Sequence, residues 1–139
     1  QGGVNMDRFE VYNSAYSYSY TDWAGFFGEI GSETDDYDGD LHVNLYEYAL
    51  GSNPTDAGDY ADPLFVKVGG GFEYIHTMRF DDTNLVYSVE TTADLVNGVW
   101  ANAGFIVSGT NDTGAAYDEV TNSVPADAAQ AFIRLKVEN

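Results

Sequence analysis

The sequence predicts a mainly β protein: an antiparallel β-sandwich preceded by two short helices. Three observations lead there. Aromatic residues make up 15% of the chain, led by 11 Tyr, and with 15 Gly this favours strands and tight turns over a helix bundle. Beyond residue 63, short apolar and aromatic runs alternate with turn formers at the spacing of a sandwich. Between residues 21 and 51 the apolar period changes from two to that of a helix. With 139 residues, 44% of them hydrophobic, the chain can bury one core and carry a small appended unit.

The expected organisation has three parts: 1–20, 21–62 and 63–139. In the first, Tyr12, Tyr16, Tyr18 and Tyr20 share one parity with Ser14, giving a strand with an aromatic face. Phe9 and Val11 occupy the other parity, so this strand is expected to be two-sided or bulged. In the second part, Trp23, Phe26, Phe27 and Ile30 form one helical stripe, with Thr21 as N-cap and Gly31 as stop. A second helix over 44–50 places Leu45, Tyr48 and Ala49 on one face, and Gly51 ends it. Residues 52–63 read as a linker of turn formers.

Strands are expected over 64–68, 72–80, 85–90, 105–108, 115–121 and 131–137. A Gly69–Gly70–Gly71 turn joins the first two. Asn97–Gly98 is read as a hairpin signal ahead of Trp100. In the last strand Ala131, Ile133, Leu135 and Val137 alternate inward.

Charge narrows the function. The chain has 23 acidic and 5 basic residues, a formal net charge of −18. Such a surface repels nucleic acid and anionic membranes, which need basic patches. It suits a medium where salt screens self-repulsion and divalent ions fill acidic loops. With no Cys there is no disulfide framework, zinc thiolate site or thiol nucleophile. No apolar run reaches the length of a membrane span. Gln1 in the first position is what a mature secreted chain shows after signal removal, and a trimmed chain would look the same.

The most informative stretch runs from Asp36 to Glu47. Asp36, Asp38, Asp40, Asn44 and Glu47 put oxygen side chains at positions one, three, five, nine and twelve of a twelve-residue loop. His42, at position seven, offers its backbone carbonyl, and Val43 fills the apolar eighth position. This is the spacing with which an EF-hand-like or dockerin-like loop wraps Ca²⁺ in hard oxygens. A solvated acidic loop would rarely meet all five positions between two helix signals. One departure stands out: position six is normally Gly, because the backbone there takes a positive φ, and here it is Leu41. Asp56, Asp59 and Asp62 form a second, sparser acidic group that turn capping explains at least as well as a second ion.

The run DYDGDLHVNLYEYALGSNPTD resembles the helix–DxDxDG–helix unit near the C-termini of large secreted proteins of verrucomicrobial-type bacteria. TTADLVNGVW is similar to that module's STDL…W hairpin, and AFIRLKV to its terminal strand. The resemblance spans roughly residues 20–138 and leaves the Tyr-rich segment outside it. It implies an ancillary, secreted module, with Asp36, Asp38, Asp40, Asn44 and Glu47 as calcium ligands.

Catalysis has little support in the sequence. There is no GxSxG elbow, no HExxH and no Cys, and the two His, His42 and His76, have no ligand spacing. His76 falls in a strand-like run as a surface or core residue. Two non-enzymatic classes remain. In the first, a secreted structural module assembles with copies of itself or with the cell surface through its N-terminal strand. In the second, a carbohydrate-binding module stacks an extracellular polysaccharide on Tyr16, Tyr18, Tyr20, Trp23 or Trp100. Burial is the competing reading for both Trp.

Overall fold

The computed structural model describes residues 17–126 and 132–139. Among these residues two short helices precede the strands, α1 (Tyr20–Ala24) and α2 (Asn44–Leu50). Six strands follow: β1 (Leu64–Val68), β2 (Gly71–Arg79), β3 (Val86–Thr92), β4 (Ile106–Asp112), β5 (Tyr117–Pro125) and β6 (Phe132–Glu138). All strand pairs are antiparallel, and they form a four-stranded sheet β1-β2-β5-β4 and a two-stranded sheet β3-β6.

Register explains where the core lies. Tyr74 faces Asn122 and His76 faces Val120 across the long β2–β5 pair, and all four are buried. In the second sheet Val89 lies opposite Leu135. Tyr74, Val89 and Leu135 meet in one buried cluster with Leu50, so the sheets face each other and α2 closes against both. In β6 Leu135 is buried while Ile133 and Val137 pack against the core, as their alternation requires; Ala131 lies outside the described residues. His76 is a core residue: its ring stacks on Tyr87, and burial holds its pKa below the ordinary value.

A second cluster joins the helices to the sheets. Tyr20, Trp23, Ile30, Tyr48, Ala49 and Leu85 are buried together, with Tyr87 and Val137 packed on them. The helical part therefore shares its core with the strands. Tyr48 is the centre: Tyr20 and Trp23 contact its ring at 5.8 and 5.3 Å, and its hydroxyl donates to Asp82 Oδ2 at 2.8 Å. Arg79 lies 4.4 Å over the same ring. Its guanidinium also binds Asp81 Oδ1 and the Tyr117 hydroxyl, which satisfies a charge that would otherwise be costly to bury.

Three local expectations are corrected. The first helix starts two residues earlier and is shorter: Ser19, not Thr21, is its N-cap, in a reciprocal capping box with Asp22. It ends at Ala24, because Gly25 and Gly28 bracket two aromatics and favour turns over propagation. Phe26 is consequently 79% exposed, while Phe27 still packs on Trp23 at 5.1 Å. Second, Tyr18 and Tyr20 do not form a strand. Tyr18 lies in irregular chain, its N–H donating to the Asp81 carbonyl, and Tyr20 opens α1; Tyr12 and Tyr16 lie outside the described residues. Third, Asn97–Gly98 is not a two-residue hairpin turn: the chain reverses through a longer loop closed by the antiparallel bridge Thr91–Ala101. Asp94 caps a compact turn there, accepting from the N–H groups of Val96 and Asn97. A Cβ on Gly98 would lie 2.2 Å from the Asp94 carbonyl oxygen, so the close approach explains the glycine.

Candidate metal centre

The acidic loop leads directly into α2. The first two N–H groups of that helix, from Asn44 and Leu45, donate to the carbonyls of Asp35 and Glu33, folding the start of the loop back onto the helix. Asn44 is fully buried, and its amide donates to the carbonyls of Ile30 and Ser32. Its Oδ1 accepts from the Tyr37 N–H at 3.4 Å, so in this geometry Asn44 braces the loop.

Asp36 organises the turn. One carboxylate oxygen accepts from the N–H groups of Gly39 and Asp40, the other from Leu41. These bonds wrap the backbone around the first ligand position and force Leu41 to φ 81°, the left-handed conformation that position six of such a loop requires. Among the described residues Leu41 is the one non-glycine with a positive φ, and its side chain is exposed. The loop thus keeps its geometry with strain at Leu41.

Carboxylate oxygens of Asp36, Asp38 and Asp40 come within 4.8 Å of one another, a group that could hold a metal ion. Glu47, on α2, is not one of that group, but the charges of all three aspartates act on its carboxyl. Its side chain is 0% exposed; Oε1 accepts from Ser52 at 3.3 Å. Glu47 Oε2 and Asp38 Oδ2 are the two buried side-chain atoms among the described residues that lack a hydrogen-bond partner. Burial, together with the charges of Asp38, Asp40 and Asp36, pushes the Glu47 carboxyl up to about 7. Burial and the Asp40 charge also raise Asp38. Orphaned carboxylate oxygens under the charge of neighbouring carboxylates are what a bound cation would satisfy.

Asp40 is held differently. Oδ1 accepts from the His42 N–H at 2.8 Å, and Oδ2 lies 3.1 Å from His42 Nδ1. Burial raises the Asp40 carboxyl, but the bonds from His42 outweigh it and leave a lowered pKa. His42 Nε2 reaches Asp62 Oδ1 at 2.8 Å, and the ring stacks on Tyr46 and Tyr60. Burial opposes the charged ring, yet Asp40 and Asp62 prevail and raise its pKa. This partnership between the loop and Asp62 has no local sequence signal, since twenty residues separate its members. Asp56 and Asp59 behave as turn caps, accepting from the N–H groups of Gly58 and Asn53.

The aromatic side chains singled out for stacking are mostly committed inside the chain. Tyr20 and Trp23 are 8% and 7% exposed, and the Tyr20 hydroxyl donates to the Gly31 carbonyl. Arg79 covers the Tyr18 ring at 4.8 Å. Trp100 is half-buried, with the Arg134 guanidinium 4.1 Å over its ring. No protein-family model matches this chain, nor does any curated protein or solved structure.

Proposed function

We propose that the chain is a secreted, non-catalytic module that binds one Ca²⁺ in an EF-hand-like or dockerin-like loop between α1 and α2. The ion stabilises the fold rather than taking part in a reaction. The observation that carries this reading is Glu47, a fully buried carboxylate at the twelfth loop position with an unpartnered oxygen, whose carboxyl is pushed up to about 7 by burial and the charges of three aspartates. Asp36, Asp38, Asp40 and Glu47 would supply carboxylate oxygens and His42 its backbone carbonyl; Asn44 would contribute only by releasing Tyr37. An all-oxygen set suits Ca²⁺ better than Zn²⁺, and a flexible loop suits it better than the strict octahedron of Mg²⁺. The resemblance to ancillary modules of large secreted bacterial proteins and the charge of −18 support an extracellular setting rich in divalent ions.

Self-association is the second part of the proposal. All five residues of β1 are exposed, four of them apolar, and only Lys67 carries a charge that discourages edge pairing. The N-terminal segment of a neighbouring copy, added as a strand, is the proposed occupant of that edge. The glycan-binding alternative retains Trp100 as its platform, since Tyr20 and Trp23 are buried.

One set of samples tests the reading. At calcium about a hundredfold above the dissociation constant, the wild type should gain roughly 2.7 kcal/mol over its stability in EGTA. Asp38→Ala should abolish the difference. Identical melting midpoints in calcium and EGTA would end the calcium reading. Sizing the same samples, with and without residues 1–16, reads out assembly; a monomer at high concentration in calcium would remove the self-association part alone.

A further inference from the structure

Asp62 lies outside the twelve-residue loop, two residues ahead of β1, yet it bonds to that loop. Its Oδ1 is 2.8 Å from His42 Nε2, while His42 Nδ1 lies 3.1 Å from Asp40 Oδ2. Tyr46, on α2, stacks on the imidazole at 5.5 Å and 13°, and Tyr60, in the linker, at 6.2 Å and 17°. The ring is therefore held at both nitrogens and stacked against groups from two different parts of the chain.

The consequence falls on Asp40. Both of its carboxylate oxygens take a bond from His42, one from the backbone and one from the ring. Its side chain is 5% exposed, so water does not replace these partners readily. The direction in which Asp40 presents its remaining lone pairs depends on the angle of the imidazole ring. That angle depends in turn on what fixes Nε2. Ligand orientation by a partner one bond further out governs metal affinity, because a misdirected carboxylate must be reordered when the ion binds.

Resting on the calcium reading above, we infer that Asp62 is a positioning residue of the metal centre, acting through His42. The relay Asp40–His42–Asp62 joins ion binding to the docking of the linker that leads into β1. An exposed ion pair by itself would contribute little. Here the pair is extended by a ring whose other nitrogen fixes a nearly buried ligand.

The experiment is a calcium titration by calorimetry on the full chain, comparing wild type with Asp62→Ala, Asp62→Asn, His42→Ala and the double variant Asp62→Ala/His42→Ala. Asp62→Ala should weaken binding by about tenfold. Asp62→Asn removes the charge but keeps an oxygen acceptor for Nε2–H, so it should recover most of the loss. With His42→Ala as background, Asp62→Ala should have no further effect. Asp59→Asn, an equally acidic linker position without a bond to His42, should bind as wild type. Asp62→Ala binding as tightly as wild type overturns the inference. So does Asp62→Asn failing as badly as Asp62→Ala with the effect persisting without His42, the signature of long-range charge alone. A wild type that binds no calcium overturns this inference and the calcium reading together, whereas normal wild-type binding with an unaffected Asp62→Ala overturns this inference only.

Discussion

Glu47→Gln is the most discriminating single change, because it should act in opposite directions with and without the ion. Glutamine has nearly the same shape but carries no charge into a buried position on which the charges of Asp36, Asp38 and Asp40 act. The wild-type carboxyl has a pKa of about 7 in the fold against 4.5 as its reference. A carboxyl raised in this way is favoured in its neutral form by the folded state, so its contribution to stability falls as pH rises from 4.5 past 7. Integrating between those two values, the raised pKa costs about 3 kcal/mol at pH 8, where Glu47 is ionised, and about 1 kcal/mol at pH 5, where the fold holds it protonated. In EGTA at pH 8, Glu47→Gln should therefore melt about 10 °C above wild type, a gap that narrows at pH 5. In calcium the wild type should rise and the variant should stay where it was, so the two midpoints approach each other. Thermal unfolding by circular dichroism at the two pH values, in EGTA and in calcium, reads all four states. A variant that melts at or below wild type in EGTA at pH 8 would refute the reasoning, since crowded carboxylates would then not limit the ion-free fold.

Two other changes test the frame around the centre. Leu41→Gly relieves the positive φ at position six and loses no packing, because Leu41 is exposed. Left-handed backbone costs a non-glycine residue about 1–2 kcal/mol, partly offset by the flexibility glycine adds to the unfolded chain, so a net gain of roughly 0.5–1 kcal/mol is expected in thermal melts. Arg79→Ala removes the guanidinium that sits over Tyr18, Tyr48 and Tyr117 and binds Asp81. Urea unfolding should show a loss of about 3–5 kcal/mol, with little recovery in Arg79→Lys, which lacks the planar fork.

What the sequence determined by itself is what depends on neighbours along the chain. Strand β1 spans the residues its apolar run indicates, and the alternation of Ile133, Leu135 and Val137 places them on the inner side of β6. Spacing alone brought Asp36, Asp38 and Asp40 together, and the demand for a positive φ at Leu41 was visible from the loop count. Where local signals competed, the sequence was less decisive. Thr21 and Ser19 can both cap a helix, and only the reciprocal bond to Asp22 selects Ser19. The Tyr alternation at Tyr18 and Tyr20 looks like a strand because parity says nothing about Tyr48 and Arg79, which draw those rings into the core. Tertiary structure alone decided the burial of Glu47, the bracing role of Asn44 and the reach of Asp62 to His42. The physical reason is the same in each case: periodicity and capping act within a few residues, whereas desolvation and long-range hydrogen bonds depend on which distant segments the packed core brings together.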